Sequence, residues 1–375
     1  MDYSSLPDFA PADLAQIKNE INAAYVAIVG KPLLPMQTEA IILQVMAQRE
    51  KIWYDSLNEA CRTQLLDFSK APMLDFLVAL VNVTRLSAQF ATTTLEFNII
   101  HGHTGVTIPA LTRVQSSDGK VAFATVATTF IPAGTYVVDI QANAQTVGVI
   151  GNDYVIGSIN NILDPLVFVI SASNIDVSAG GADQESDEQL ISRTKDKPDS
   201  YSNAGPVGAY RYFAKSAHPS IVDVAVMGHD DDISFDPGSV HLFPLIKGGG
   251  VTPGPILALV LAACNADEVV PINDLVIVAS PTAVDYAINV NLTLFDSAND
   301  SAVNDIVNQL LNDYSQSLKG KLAVDVIVAE ITAISMQPGV YNAAVILPVA
   351  DVTLLKNQYA NITGITTNIV GHHAG

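Results

Sequence analysis

The sharpest change of pattern in the chain occurs at Gly180-Gly181-Ala182-Asp183-Gln184-Glu185-Ser186-Asp187-Glu188-Gln189-Leu190. Ser186 and Gln189 have the spacing of a capping box, in which each side chain satisfies a free backbone amide at the start of a helix. Asp187 and Glu188 add negative charge to the first turn, where the helix dipole favours it. The glycine pair before the cap ends a region of a different pattern. The stretch therefore predicts a boundary between a β-rich region and a region where helices and strands alternate.

Residues 88–178, upstream of this boundary, alternate with period two. Thr92, Thr94 and Glu96 point to one side of a predicted strand, and the residues between them point to the other. The turn at residues 117–120 (SDGK) separates two further short strands. We interpret residues 88–178 as an all-β module, either a sandwich or a small barrel.

Residues 1–87 are predicted to be helical. The apolar side chains on the first predicted helix recur every three or four positions, which is the spacing of one helical face: Leu14, Ile17, Ile21, Tyr25 and Ile28. A second helix is expected over residues 38–66, with Trp53 on its apolar side. Two interpretations stay open here. The helices form a plain subdomain, or they form an arm that packs on another chain, because two or three helices alone make a poor core.

Residues 179–280 and 281–375 read as two small α+β domains in series. The predicted strands are 221–226, 239–246, 275–279, 286–294 and 340–347, and the predicted helices are 206–217, 254–265, 301–318 and 325–336. The tail from His372 onward is expected to be disordered. The predicted fold class is thus α+β and multidomain: an N-terminal helical arm, a central all-β module and two serial α+β domains.

The composition limits the classes of partner. The chain of 375 residues has 18 Lys and Arg against 38 Asp and Glu, a net charge of −20, and only 15% of its residues are charged, where about 25% is typical. Such a sparsely charged chain is expected to cover much of its surface with protein partners. Nucleic acid is excluded as the main ligand, because phosphate binding needs clustered cations.

The sequence also indicates where the protein folds. Cys61 and Cys264 are far apart and are read as buried thiols rather than a disulfide. The first residues lack the basic and apolar segments of a signal peptide. The longest apolar stretches have about nine residues, too few to span a bilayer. We expect assembly in a host cytoplasm without direct membrane insertion.

Three clusters contain residue types that can carry chemistry. The acidic run that follows His229 places its carboxylates on consecutive residues, which splay apart instead of converging on a cation. His101 and His103 could share one side of a strand, yet no third zinc ligand follows at a suitable spacing. The glycines at 248–250 lack the Gly-Lys-Ser/Thr ending of a phosphate loop. No catalytic, cofactor-binding or metal-binding residue is predicted.

One basic feature stands out. Arg211, Lys215 and His218 share one face of a predicted helix, and no arginine follows Arg211 in the chain. This face is either solvated, or it pairs with acidic surface of the same chain or of another copy. Arg211 and Lys215 therefore join the candidate protein-interface residues, whose full set is Leu14, Ile17, Ile21, Tyr25, Ile28, Trp53, Arg211 and Lys215.

The run at 180–190, closed by Arg193, resembles the signature of the baseplate J-like wedge proteins of contractile phage tails and related contractile injection systems. Matching pieces continue in order at residues 108–112, 131–135, 209–214, 221–224, 237–240 and 270–281. The family often has an arginine just before the proline at Pro271, where this chain has Val270.

The resemblance implies a structural protein of a virion tail baseplate or a contractile injection particle, and not an enzyme. It implies that the N-terminal helices form a bundle with a second baseplate wedge protein, with two J-like copies to one partner. It also implies that the C-terminal domains meet further copies in a sixfold ring around the tail hub, near sheath-proximal proteins. Two alternatives stay open, a β-rich virion adhesin or binding module, and a hydrolase with dispersed acidic residues.

Overall fold

The computed structural model describes residues 8–34, 37–202, 206–266, 269–271 and 273–374. The chain divides into two compact units, Met1–Thr84 and Arg85–Gly375. The second unit contains the β-rich region and both α+β regions, with the run at 180–190 between them. The domain boundaries inside this unit stay predictions.

The first unit contains three helices: α1 (Leu14–Val29), α2 (Thr38–Arg62) and α3 (Met73–Ala79). Asp13 caps α1 by accepting a hydrogen bond from the amide of Ala15, and Gly30 ends it in the left-handed conformation. The buried amide of Asn58 on α2 accepts from the amides of Phe9 and Ala10, at 2.8 Å each. Helix α2 ends four residues before the predicted 66.

The second unit begins with a barrel, which is one of the two architectures predicted for the all-β module, a sandwich or a small barrel. Its strands are β1 (Phe90–Ile99), β2 (Val106–Ile108), β3 (Arg113–Ser116), β4 (Ala122–Thr125), β5 (Thr129–Ile131), β6 (Val137–Val147), β7 (Ile159–Ile162) and β8 (Val169–Asn174). Six strands pair in the order β7-β3-β4-β6-β1-β8. The inward side chains of β1 are buried and the outward ones are half-buried, which is the predicted period of two.

The side chain of Asn174 joins the two ends of this sheet. It is fully buried at the end of β8. Its oxygen accepts from the amide of Ile159 on β7 at 2.9 Å, and its nitrogen donates to the carbonyl of Val155 at 3.0 Å. One side chain thus completes a barrel that the backbone ladder leaves nearly closed.

The middle of the unit contains α4 (Asp187–Asp196), α5 (Val207–Ala217), β9 (Ile221–Met227), β10 (Ser239–Ile246), α6 (Gly254–Cys264) and β11 (Leu275–Val278). The three strands pair in the order β11-β10-β9. Helices α5 and α6 pack on one face of this sheet through a core that includes Tyr210, Val226, Leu242 and Val260. The predicted capping box at Ser186 is present in both directions.

The C-terminal part contains β12 (Thr282–Phe295), α7 (Asp300–Lys319), α8 (Val328–Ser335), β13 (Val340–Leu347) and β14 (Gln358–His373). The strands pair in the order β13-β12-β14. The prediction of a disordered tail was wrong for residues 372 and 373, which end β14. Their backbone pairs with β12, and the His372 imidazole lies 2.9 Å from the carboxylate of Asp300.

The glycine run at 248–250 lies between β10 and α6 and contacts the C-terminal α+β region. All three glycines have positive φ, between 75° and 103°. The amide of Gly250 donates to the hydroxyl of Tyr359 on β14 at 2.9 Å. A Cβ atom on Gly249 would lie 2.9 Å from the Tyr359 ring, so the absence of a side chain allows this close approach. The run is a packed turn against β14.

Candidate interaction surfaces

Helices α1 and α2 pack on each other through few residues. Ile17 on α1 and Ala47 on α2 are buried, whereas the neighbouring apolar side chains of both helices are not. Trp53 is 70% exposed and Ile28 is 84% exposed. Large apolar side chains that soluble helices normally bury are thus left in contact with water.

The exposed apolar residues of α2 form a continuous surface, which we call the helical face. It consists of Ile41, Ile42, Val45, Met46, Ile52, Trp53 and Leu57. These residues span about 24 Å along the helix axis at 1.5 Å per residue. Charged side chains interrupt the face only at a few positions, among them Arg49.

A groove of about 550 Å³ runs between α1 and α2 beside this face. It is lined by Ile21, Ala24, Tyr25, Ile28, Leu43, Met46, Arg49, Glu50 and Trp53. Four of the predicted interface residues therefore come together in one place: Ile21, Tyr25, Ile28 and Trp53. Leu14 is half-buried outside the groove, and Ile17 is buried.

The basic residues predicted on α5 are positioned differently. The ammonium of Lys215 is almost buried and lies 2.8 Å from the carboxylate of Asp196 and 3.1 Å from the hydroxyl of Ser192. The half-buried guanidinium of Arg211 faces the carbonyl of Val224 at 3.4 Å. Lys215 thus pairs with an acidic group of the same chain, which is one of the interpretations left open for this face.

The run at 180–190 has a structural role that the cap alone does not explain. The guanidinium of Arg193 makes two hydrogen bonds of 2.7 Å to the carboxylate of Glu185, and both side chains are buried. Arg85 donates to the carbonyl of Glu185 at 2.7 Å and to the carboxylate of Asp187 at 2.6 Å. Glu185 was not predicted from the sequence. It precedes the N-cap of α4, and the one signal for its role was a basic residue eight positions later on that helix, Arg193.

The histidine and acidic clusters have local partners. The ring of His103 lies 2.8 Å from the carbonyl of Thr135, and His101 packs on Tyr136 with ring centroids 4.0 Å apart. Asp231 forms an ion pair with Lys356. Within the described ranges, no group of three or more His, Cys, Asp or Glu side chains is arranged to hold a metal ion.

Two further properties concern the buried thiol of Cys264 and the apolar character of the helices. Burial raises the pKa of the Cys264 thiol to about 12, which keeps it protonated at neutral pH. Across the part of the chain that the structure describes, no helix combines the length and the apolar character needed to cross a membrane.

Comparison with known proteins identifies related domains along the chain. Four family models match in order: the baseplate J-like N-terminal domain at residues 39–92, the barrel domain at 94–181, the central domain at 202–280 and the C-terminal domain at 286–368. The barrel match covers the strands that Asn174 closes, and the N-terminal match includes all of the helical face.

Baseplate protein J of Escherichia phage P2 is 29% identical to the chain over 210 residues, which is 56% of this chain and 67% of the phage protein. Among solved structures, a chain of the cryo-EM structure of the anti-feeding prophage baseplate, 6-fold symmetrised, aligns with a TM-score of 0.43 and 14% identity. That alignment covers 93% of this chain and 89% of the other. Since the four successive domain matches cover most of its length, the chain belongs to the baseplate J-like protein family.

Proposed function

We propose that this protein is a structural wedge subunit of the baseplate of a contractile tail or contractile injection particle. Membership of the baseplate J-like family and the similarity to the phage P2 baseplate protein support this role. In this proposal the protein contributes binding surfaces and no catalysis. It functions in the assembled particle.

The observation that carries the proposal is the helical face of the first unit. About seven large apolar side chains on one helix lie open to water, although burial of each would contribute about 1.5–3 kcal/mol. A 25-residue helix with such a face is suited to a bundle with helices of another chain. We infer that the occupant is a second baseplate wedge protein, with two copies of this chain to one partner.

The second part of the proposal concerns the ring. The C-terminal domains would meet those of further copies and close a sixfold ring around the tail hub, near sheath-proximal proteins. The low fraction of charged residues favours such extensive contact, since the cores of protein interfaces are depleted of charge.

The experiment uses the full chain co-expressed with the other baseplate proteins of its particle. Trp53→Ser removes the largest side chain of the helical face. Exposed apolar anchors of this kind often contribute more than 2 kcal/mol to binding, so we expect at least a tenfold loss of co-purifying partner. Because Trp53 is largely exposed in the free chain, the melting temperature should stay near that of the wild type.

Asn19→Ser is the matched control, since Asn19 is an exposed polar residue on the side of α1 opposite to Ile17 and Ile21. It should leave partner yield unchanged. Wild-type partner yield with Trp53→Ser, or equal losses for the two variants, would show that the helical face is not the joint.

A further inference from the structure

Three connections meet at the end of the barrel where β1 finishes. Residues 100–112 link β1 to β3, residues 126–136 link β4 to β6, and residues 163–168 link β7 to β8. They lie at the same end because neighbouring strands of the barrel are antiparallel. Each connection contributes two large apolar side chains to what we call the apolar barrel end, which consists of Ile100, Leu111, Val126, Phe130, Val167 and Phe168. These side chains are between 47% and 76% exposed.

The apolar barrel end is almost free of charge. Among the thirty residues of the three connections, Asp164 is the one Asp, Glu, Lys or Arg. Its carboxylate accepts from Nε and Nη2 of Arg113 at 3.0 and 2.8 Å, so this charge is already paired. The whole chain, in contrast, carries a net charge of −20. Uncharged apolar surface of this kind marks interaction sites on proteins.

Two of the six side chains occupy a backbone conformation that favours glycine. The φ angle is 65° at Leu111 and 74° at Phe168, and bulky side chains are strained in this left-handed region. The chain contains its own comparison, because residues 108–112 read Ile-Pro-Ala-Leu-Thr and residues 131–135 read Ile-Pro-Ala-Gly-Thr. Gly134 has the positive φ of its turn, 93°. The first turn thus holds an exposed leucine where the second holds glycine.

This strain needs a reason outside the free chain. A side chain that strains its own backbone and remains in water gives the free chain no stability in return. Strained residues of this kind cluster at functional sites, where another molecule makes use of their position. The two strained side chains, Leu111 and Phe168, therefore stand out as the anchors of the surface.

Hydrogen bonds hold the turn that presents Leu111. The amide of Leu111 donates to the carbonyl of Thr125 at 2.8 Å, and the amide of Ala110 donates to the hydroxyl of Thr128 at 3.0 Å. The hydroxyl of Thr125 donates to the carbonyl of Pro109 at 2.8 Å. A turn fixed in this way loses little conformational entropy when a partner binds.

The exposed area is large enough for a specific contact. An aromatic side chain has about 150–250 Å² to bury and an aliphatic one somewhat less, so the six side chains present on the order of 600 Å². A standard protein interface buries about 800 Å² on each partner. The apolar barrel end would thus supply most of one such interface.

We propose that the apolar barrel end docks into an uncharged apolar pocket of a different protein of the particle, with Leu111 and Phe168 as anchors. Exposed side chains on turns fit a concave surface, whereas the same end of a second copy would present the same turns in place of a pocket. A membrane is disfavoured because the three connections offer no Lys or Arg to lipid headgroups. This inference rests on the proposed baseplate role, since the partner belongs to the particle.

Photo-crosslinking tests which molecule covers the surface. A benzophenone amino acid replaces Leu111 in the full chain, which is co-expressed with the other baseplate proteins of its particle. We expect a cross-link to a different protein, at a segment that mass spectrometry shows to be apolar and uncharged. The same amino acid in place of Val155, which is exposed at the opposite end of the barrel, should not form this cross-link. A cross-link to a second copy, or none, would overturn the inference.

Two variants separate docking from folding. Leu111→Asn and Phe168→Asn remove an apolar anchor and introduce a residue that tolerates positive φ. Each should leave the melting temperature of the free chain equal to or above that of the wild type, and should reduce the amount of chain in assembled particles at least tenfold. Val155→Asn makes the same chemical change at the other end of the barrel and should assemble like wild type.

Three results would contradict the docking role. They are wild-type incorporation of both Asn variants, a melting temperature of Leu111→Asn well below that of Val155→Asn, and Leu111-dependent flotation of the chain with phosphatidylcholine vesicles. None of them affects the baseplate role, since that depends on the separate partner-yield assay with Trp53→Ser.

Discussion

The carboxylate of Glu185 accepts two parallel hydrogen bonds from the guanidinium of Arg193, from Nε to Oε1 and from Nη2 to Oε2, each of 2.7 Å. Both side chains are at most 4% exposed. Oε2 also accepts from the amide of Leu86 at 2.9 Å. One buried carboxylate therefore attaches the segment that enters the second unit to the first helix after the barrel.

Removal of either partner of this pair should destabilise the second unit strongly. Glu185→Ala removes the carboxylate that pairs with the buried guanidinium of Arg193. Removal of one partner of a buried ion pair costs about 3–5 kcal/mol. We expect a clear drop of the melting temperature in calorimetry of the full chain. Glu188→Ala is the control, since Glu188 is an exposed acid three residues later in the first turn of α4, and it should change little. Equal melting temperatures for both variants would contradict this role.

The closure of the barrel should depend on Asn174. Asn174→Ala removes the acceptor of the buried Ile159 amide, and an unsatisfied buried group of this kind costs about 1–3 kcal/mol. The carbonyl of Val155 keeps its hydrogen bonds from the amide and the hydroxyl of Ser158. Hydrogen exchange should report loss of amide protection in β7 and β8 before the rest of the barrel. Asn160→Ala removes an exposed side chain bonded only to a nearby carbonyl and should leave that protection intact. Protection that survives Asn174→Ala would mean that the backbone alone closes the barrel.

Acidification should weaken the fold through His218. Its Nε2 lies 3.1 Å from the carbonyl of Gly180, and its Nδ1 lies 3.2 Å from the amide of Ser220. The neutral ring satisfies both contacts, and burial lowers the pKa of His218 below its ordinary 6.5. The unfolded chain therefore binds the additional proton first, so stability is full above about pH 6.5 and falls as the pH decreases below it.

Thermal melts at pH 7.5 and pH 5.5 measure this effect. His218→Gln should narrow the difference between the two melting temperatures, and His101→Gln, at an exposed ring, should not. An imidazole resonance of His218 that titrates above pH 6.5 in NMR would show the opposite sign.

The glycine run at 248–250 should be unequally sensitive to a methyl group. Gly248→Ala and Gly249→Ala both place alanine at positive φ, which costs about 1–2 kcal/mol. Only at Gly249 does the new Cβ also meet the Tyr359 ring, at 2.9 Å, while nothing lies within 4 Å at Gly248. Gly249→Ala should therefore be less stable than Gly248→Ala by about 1–3 kcal/mol, the usual cost of overpacking, and should unfold at a lower temperature. Indistinguishable unfolding curves would argue that the turn moves away from Tyr359 easily.

The helices and most strands could be predicted from local pattern because each has a face with the period of its own structure. The stripe from Leu14 to Ile28, the alternation in β1 and the cap at Ser186 depend on neighbours a few residues away. Strand β14 was not predicted, and its last two residues, His372 and His373, were predicted to be disordered. It is rich in Thr, Asn and Gly and has two register shifts, so its period is broken, and its partner β12 lies about seventy residues upstream.

The family, most of the helices and strands and the excess of negative charge could be read from the linear chain, since motifs, periodicity and composition are its properties. The tertiary structure decided which of the predicted interface residues are available. Ile17 is buried, Lys215 is neutralised by Asp196, and Trp53 stays open to water. It also brought the Glu185 carboxylate to the amide of Leu86. Such contacts join residues distant in the chain, and their free energy depends on burial, which only the folded chain defines.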